Sequence, residues 1–314
     1  LLNRGWQQKK SQVALLVILA LALTLRVIGI NFGLPHTYHP DEGALIMPAL
    51  RILQTGDLNP HRFDYGSAYI YTLSGFYIPY FLTGVKAGLF NTIQDIPVIE
   101  DYASITRYPF PSVFLAARLL NALLGTLTVL TTYVLTRRVL GLKHALVAAL
   151  LLAVAPLHVR QSHFATTDTP MILAVLISLL AMSYASKTRT QKDLMVAAFL
   201  CGFTVSVKYP AMPIIAPLAI LFAQVNVKKE HIWLKAAGGM LALAVGFWIG
   251  TPYALLDLPT FLNWLAYDLR LYSPAGSAQV ATSLEWYLWL LFSGYNACLT
   301  IPALLGIPFR VPAQ

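Results

Sequence analysis

Two carboxylates lie side by side early in the chain, at Asp41 and Glu42 within residues 38–43. They follow an apolar run, and charge beside a membrane surface is costly to desolvate unless it has a role. Pro40 disfavours helix at the residue before it, whereas acids suit the first turn of a helix after it. One interpretation is a helix start in which Asp41 caps about 44–54. The other is a general base or metal ligand that projects from that helix start into a cleft.

A second group of ionisable residues lies in the stretch 158–170, where His158, Arg160 and His163 come shortly before Asp168. Asp168 is followed by Thr-Pro and an apolar run, which is typical of a helix N-cap with proline in the first turn. Capping accounts for Asp168 but not for the two histidines and the arginine. Such a density of ionisable groups at the end of a predicted span indicates a site.

Two further cations are candidates to bind an anion. Lys208 lies between two apolar runs, and Arg118 lies near the start of another. Each could simply extend its charged group from a span end to the interface. Lys208, however, departs from the pattern of the other basic connections, and a cation isolated at such a corner suits a phosphate.

The composition defines the protein class. Of 314 residues 57% are hydrophobic and 11% are charged, against about 45–50% and about 25% in soluble domains. We therefore predict an all-α polytopic membrane protein. The net charge of +9 comes from basic clusters between apolar blocks, which orient a membrane protein and do not indicate nucleic-acid binding. Cys201 and Cys298 both lie in apolar runs, so neither a disulfide framework nor a thiolate metal site is expected.

Eight apolar blocks have about the length needed to cross a bilayer. A ninth stretch, 67–90, is rich in tyrosine and is predicted to lie along the interface. With that placement the basic clusters share one side, as the positive-inside rule requires, and both chain ends are cytoplasmic. The predicted outer loops are 31–111, 161–169 and 253–283. The predicted spans are about 12–30, 112–136, 144–160, 170–186, 192–207, 210–226, 232–252 and 284–306.

The chain is expected to form one transmembrane module over 1–314, with the Asp-Glu pair in the long first outer loop, 31–111. It begins Leu-Leu without a methionine and stops soon after an apolar block. We therefore expect a fragment truncated at its C-terminus.

The order of these features resembles the GT-C membrane glycosyltransferases, and most closely glycosyltransferase family 39. That family groups the protein O-mannosyltransferases with the bacterial aminoarabinose transferase of lipid A. The resemblance covers about Ala20 to Pro210, and the chain is shorter than family members, which usually have eleven or more spans. The motifs that carry it are Asp41-Glu42, Ala117-Arg118-Leu119-Leu120 with Gly125 and Tyr133, Pro156 with Ser162-His163 and Asp168-Thr169-Pro170, and Gly202 with Lys208-Tyr209-Pro210.

The resemblance implies a GT-C-type module with juxtamembrane helices in the first outer loop. It implies an enzyme of the plasma (inner) membrane that acts on the outer, periplasmic face. Its donor would be a polyprenyl-phosphate sugar among the membrane lipids. The acceptor would be a hydroxyl of a protein, lipid or glycan, and the anomeric carbon would be inverted.

For that reaction the site residues receive definite roles. Asp41 is the expected base, because an acceptor hydroxyl needs a carboxylate within hydrogen-bond reach. Lys208, Arg118 and His163 are expected to bind the donor phosphate, whose charge grows as it leaves. Glu42 and Asp168 would position groups. Related enzymes differ in using a divalent cation, so a cation is left open, with Asp41, Glu42 and Asp168 as its ligands if one binds.

Two other functions are left open by the sequence. A transporter or flippase would use Asp41, Asp168 and Lys208 to line a pathway, and a scaffold subunit would carry no catalysis. Transporter charges lie near mid-bilayer, whereas here they gather at one face and the predicted span interiors hold almost none apart from Arg26. That distribution favours chemistry at the interface.

Overall fold

The structure, a computed structural model, describes residues 2–36, 38–99, 107–108, 110–226, 231–271, 288, 289 and 292. Over these residues it is helical, and the one β-bridge described joins His36 to Arg107. This confirms the all-α class. The helices are α1 (Leu2–Val27), α2 (Pro40–Thr55), α3 (Ser67–Lys86), α4 (Pro111–Leu140), α5 (Leu142–Val154), α6 (Pro156–Gln161), α7 (Asp168–Thr188), α8 (Gln191–Val207), α9 (Ile215–Asn226), α10 (Ile232–Gly250), α11 (Tyr253–Leu256) and α12 (Leu258–Leu271).

Four helices in the described part are long and apolar enough to cross a membrane, and two shorter ones are apolar. The four are Lys9–Val27, Pro111–Leu140, Asp168–Thr188 and Ile232–Gly250, and the shorter two are Leu142–Val154 and Tyr209–Val225. The polytopic class is thus supported, whereas the count of eight spans is not confirmed. The stretch 192–207 is helical but is not among these six, and almost all of 284–306 lies outside the described residues.

The predicted span 144–160 is interrupted near its end. Ala155 adopts an extended backbone (φ −62°, ψ 113°) and separates α5 from α6, which begins at Pro156. Proline disfavours the helical conformation at the residue before it but suits the first position of a new helix. The break places His158 and Arg160 in a separate short helix at the end of α5.

The long helices pack side by side, with α4 against α1, α5 and α7, then α7 against α8 and α8 against α10. Glycines bring α8 and α10 together. A Cβ on Gly202 would lie 1.9 Å from the Leu243 carbonyl oxygen, and one on Gly246 would lie 2.0 Å from that of Phe199. Small residues at a helix–helix contact let backbones approach closely, which favours association inside a membrane.

The predicted first outer loop, 31–111, contains two packed helices, α2 and α3. Helix α2 buries most of its side chains against α3 and the start of α4. It ends at Gly56, whose positive φ of 74° terminates the helix in the left-handed conformation. Helix α3 is not among the helices apolar enough to span, and its placement along the interface stays a prediction. The effect of this packing is to hold the first turn of α2 near α4.

The chain divides into two compact units, Leu1–Leu262 and Asn263–Gln314. All the candidate site residues lie in the first unit. In the second unit the described residues are chiefly the end of α12, where the rings of Trp264 and Tyr267 meet edge to face at 5.6 Å. The single-module prediction stays a prediction.

Candidate functional site

The most extensively hydrogen-bonded part of the candidate site is a buried ion pair between α4 and α2. Arg118 donates from Nε and Nη2 to the two carboxylate oxygens of Glu42, each at 2.7 Å. Its Nη1 donates to the carbonyls of Ile30 (3.0 Å) and Phe32 (2.8 Å). Oε1 of Glu42 also accepts from the backbone N–H of Ala165 at 2.9 Å. Most of the five guanidinium N–H groups are therefore used, and Glu42 balances the charge.

Arg118 ties α4 to α2 and to the chain after α1. Its predicted role as a phosphate ligand stays a prediction. Both side chains are almost fully buried, at 1% and 0% exposure for Arg118 and Glu42. The positioning role predicted for Glu42 stays a prediction.

A second buried network fixes the segment before Asp168. The side-chain amide of Asn121 donates to the carbonyls of Phe164 (2.6 Å) and Thr166 (2.9 Å). Tyr69 donates its hydroxyl to the Asn121 carbonyl oxygen at 2.8 Å. Sequence analysis missed Asn121 and Tyr69. An amide inside an apolar run was the available signal, because polar groups are expensive there and need partners.

Asp41 lies in the first turn of α2 but does not cap it. The helix begins at Pro40, so the N-cap position falls on His39. The capping interpretation was therefore wrong. The carboxylate of Asp41 stays 39% exposed, and its Oδ2 lies 4.0 Å from Nδ1 of His39. Unlike Glu42, Asp41 forms no ion pair with an arginine in the described structure, so its carboxylate is free to contact a ligand.

Asp168 and Lys208 form an ion pair across the ends of α7 and α8. Nζ of Lys208 donates to Oδ1 of Asp168 at 2.6 Å, and the side chains are 21% and 30% exposed respectively. Thr167 holds the N-cap position of α7, so Asp168 is one residue inside the helix. Capping thus fails to explain Asp168, and pairing with Lys208 does.

A cavity of about 270 Å³ lies next to Arg118 and the segment that includes His163 and Phe164. We call it the Arg160 cavity, and its lining residues are Phe32, Tyr38, His39, Arg118, Arg160, His163 and Phe164. It brings together His163 and Arg160, both from the ionisable stretch 158–170, with His39, to which the sequence assigned no role. Burial lowers the pKa of His163, while contacts with backbone groups of Ile28 and Leu25 act in the opposite direction.

The other ionisable residues of this region have structural partners. Arg26 is fully buried and donates to Nδ1 of His158 at 2.8 Å and to the carbonyls of Ala22 (2.8 Å) and Ala153 (3.1 Å). This contact joins α1 to α5 and α6. The one charge noted inside a predicted span is therefore accounted for by packing, and so is His158.

The predicted metal ligands are not brought together. Among the described residues no group of three or more histidine, cysteine, aspartate and glutamate side chains could hold a metal ion. Glu42 is engaged by Arg118 and Ala165, and Asp168 by Lys208. Asp41, Glu42 and Asp168 are thus not grouped as ligands in the part of the chain that the structure describes, and dependence on a divalent cation stays a prediction.

A comparison with known families bears on this arrangement. Residues 103–253 match the family model described as dolichyl-phosphate-mannose-protein mannosyltransferase. The match extends from before α4 to the end of α10 and includes Arg118, Asp168 and Lys208, whereas Asp41 lies before it. No curated protein sequence matches the chain. With its membrane-length helices, the chain thus resembles a membrane glycosyltransferase of the GT-C, family 39-like type.

Proposed function

We propose that this protein transfers a sugar from a polyprenyl-phosphate donor to a hydroxyl acceptor at the outer face of the membrane, with inversion at the anomeric carbon. The observation that carries the proposal is the contrast between two adjacent acids. Glu42 is buried against Arg118, whereas Asp41 is open beside a basic, aromatic cavity. The family match supports the lipid-phosphate donor class.

The base in this proposal is Asp41. Its carboxylate accepts the proton of the acceptor hydroxyl, as a general base within hydrogen-bond reach does. The hydroxyl oxygen forms a bond to the anomeric carbon while the bond from that carbon to the phosphate oxygen breaks. The phosphate leaves with the electron pair, and the proton remains on Asp41. Attack opposite the leaving group accounts for inversion.

The growing charge on the phosphate needs electrostatic stabilisation more than it needs an acid. Lys208 and His163 are the proposed donors. Lys208 is paired with Asp168 but keeps part of its surface open, so its ammonium can be shared with a phosphate. His163 lines the Arg160 cavity. Asp168 would then position Lys208, as Glu42 positions Arg118.

The outer-face placement is supported by how charges are distributed along single helices. Arg118 and Arg137 are nineteen residues apart in α4, and Asp168 and Lys187 are nineteen apart in α7. At 1.5 Å per residue that is about 28 Å, close to the thickness of the hydrocarbon core. The site and the basic clusters therefore lie at opposite ends of these helices. Because basic clusters favour the cytoplasmic side, the site faces outward in this proposal.

The test compares the full chain with its Asp41→Asn variant in lipid nanodiscs. Polyprenyl-phosphate hexoses and a panel of hydroxyl acceptors are supplied, and release of polyprenyl phosphate is measured together with glycosylated acceptor. A general base contributes about 10²–10⁴-fold, so we expect a loss of that order. Asp57→Asn is the matched control, because Asp57 is another exposed acid of the same loop, paired with His61.

The outcomes separate the parts of the proposal. Full turnover by a folded Asp41→Asn variant would remove Asp41 as the base. A wild-type chain that transfers no sugar across the whole donor and acceptor panel would overturn the proposed function. Equal losses in Asp41→Asn and Asp57→Asn would show an effect of loop charge and not of a base.

A further inference from the structure

The Arg160 cavity contains a cation that the proposed chemistry does not yet use. We infer that this cavity binds the phosphate of the lipid-linked donor, with Arg160 as its principal ligand and the rings of His39 and His163 beside it. The identification of the bound lipid as the sugar donor rests on the proposed function.

Charge balance around the site singles out Arg160. Arg118 is compensated by Glu42, and Lys208 by Asp168. Arg160 is exposed, and within the described residues its side chain has neither an ion pair nor a hydrogen bond. A guanidinium presents donors in a planar fork that matches phosphate oxygens.

Two buried ring nitrogens of residues that line the cavity lack a hydrogen bond in the described structure, and the one on His39 lies 4.0 Å from the Asp41 carboxylate. In the described structure neither Nδ1 of His39 nor Nε2 of His163 has a hydrogen-bond partner, although both atoms are buried. Buried polar atoms are normally paired, so each such exception needs an explanation. A phosphate oxygen in the cavity would accept from whichever of these nitrogens carries a proton, which also depends on the tautomer.

The surface beside the cavity suits a lipid better than a free ion. Val27 and Ile28 at the outer end of α1 are 39% and 67% exposed, and they lead to Phe32 and Tyr38, at 62% and 60%. Phe32 and Tyr38 pack together with ring centres 5.3 Å apart. Aromatic rings are typical of the headgroup zone. An apolar chain can therefore lie along α1 while its phosphate enters the cavity.

The location of the cavity also suits the reaction. His39 lines the cavity, and its Nδ1 is 4.0 Å from Oδ2 of Asp41. A phosphate bound beside His39 would therefore lie close to the proposed base. The inference thus replaces Arg118 by Arg160 among the phosphate ligands that the sequence predicts.

The experiment measures binding, so it does not depend on turnover. Farnesyl phosphate, farnesol and inorganic phosphate are titrated separately into the full chain in detergent micelles by isothermal calorimetry. Arg160→Gln is compared with wild type and with Arg138→Gln. The control arginine lies over the ring of Tyr184, 3.5 Å from its centre, at the far end of α4. Unfolding temperatures verify that all three proteins fold.

We expect Arg160→Gln to weaken farnesyl phosphate binding by about tenfold or more, since a hydrogen bond to a charged group is worth that much. Farnesol binding and the Arg138→Gln variant should be unchanged. Unaltered farnesyl phosphate affinity in Arg160→Gln would overturn the inference. Inorganic phosphate that binds as tightly as farnesyl phosphate, and is lost equally in Arg160→Gln, would show a site for free phosphate and not for a lipid.

Failure of the inference and failure of the proposed function give different results. If wild type transfers sugar and Arg160→Gln transfers it equally well, the cavity is not the donor phosphate site, but the proposed function is retained. If farnesyl phosphate binding depends on Arg160 but wild type transfers no sugar, the cavity is a lipid-phosphate site and the proposed transferase function is wrong.

Discussion

The carboxylate of Glu42 and the guanidinium of Arg118 meet through two hydrogen bonds of 2.7 Å, and both are closed off from solvent. One residue earlier, the carboxylate of Asp41 remains 39% exposed. Adjacent acids in one helical turn thus have opposite environments. Glu42 is a structural anchor, whereas Asp41 keeps a carboxylate open to a ligand.

Removing one partner of the Arg118–Glu42 pair should destabilise the fold strongly. Arg118→Met leaves a buried carboxylate without its cation, and loss of one partner of a buried pair costs about 3–5 kcal/mol. Thermal and denaturant unfolding in detergent would measure it. The double variant Arg118→Met with Glu42→Gln leaves no buried charge, so it should lose less than the sum of the two single variants. A strictly additive loss would show that the two residues are not coupled.

The Lys208–Asp168 pair should matter to sugar transfer more than to stability. Both residues are partly exposed, and such pairs contribute about 0–1 kcal/mol. We expect Lys208→Met to unfold at nearly the wild-type temperature and to lose most of its transfer activity.

The charge-swapped variant, Lys208→Asp with Asp168→Lys, provides the matched test. It keeps an ion pair between α7 and α8 but moves the cation to the other helix. It should fold and remain deficient in sugar transfer. Transfer at the wild-type rate in the swapped protein would mean that the pair only joins the two helices.

The contact between α8 and α10 should tolerate no side chain at Gly246. A Cβ there would lie 2.0 Å from the Phe199 carbonyl oxygen, whereas one at Gly238 on the same helix would meet Met195 Sδ at an ordinary 3.6 Å. Overpacking costs about 1–3 kcal/mol, so Gly246→Ala should lower the unfolding temperature. Gly238→Ala should not, since alanine favours helix. Equal unfolding temperatures in the two variants would contradict the packing described.

Stability should depend on pH through His163. Burial lowers the pKa of His163 below its ordinary 6.5, so the unfolded chain binds the proton more readily than the folded one. Stability from this residue is therefore complete above about pH 6.5 and declines as the pH falls from there toward the lowered pKa.

Unfolding temperatures of wild type and His163→Asn between pH 5 and 8 would measure this effect. The variant should lose less stability on acidification than wild type does. His144→Asn, which alters an exposed histidine at the start of α5, is the control. A His163→Asn profile parallel to that of wild type would remove His163 as a source of the pH dependence.

Local sequence signals predicted where helices lie in this protein, but not which side chains contact one another. Pro40 indicated a helix start close to where α2 begins, because proline acts on its own backbone and its neighbour. The break at Pro156 was missed, since 144–160 was predicted as one continuous span. The apolar blocks predicted the long helices for a similar reason, since length and hydropathy are local properties.

The pairing of charges could not be predicted in that way. Glu42 and Arg118 are 76 residues apart, and Asp168 and Lys208 are 40 apart. Which acid pairs with which cation depends on how the helices pack, and the spacing of residues along the sequence does not reveal it. The density of ionisable residues in 158–170 indicated a site, but the sequence could not show that Arg160 and His163 share a cavity with His39.

The carboxylate oxygen Oε1 of Glu42 accepts from both Arg118 and the backbone of Ala165. These three groups leave the ribosome at different times, and Ala165 is the last of them. The first turn of α2 contains Asp41 and Glu42. More than a hundred further residues must be synthesised before both hydrogen-bond donors to Glu42 Oε1 exist. A nascent chain that has inserted only its first helices therefore contains Asp41, the proposed base, before the contacts that hold its helix turn can form. The proposed chemistry would have to wait until the middle of the chain has reached the membrane.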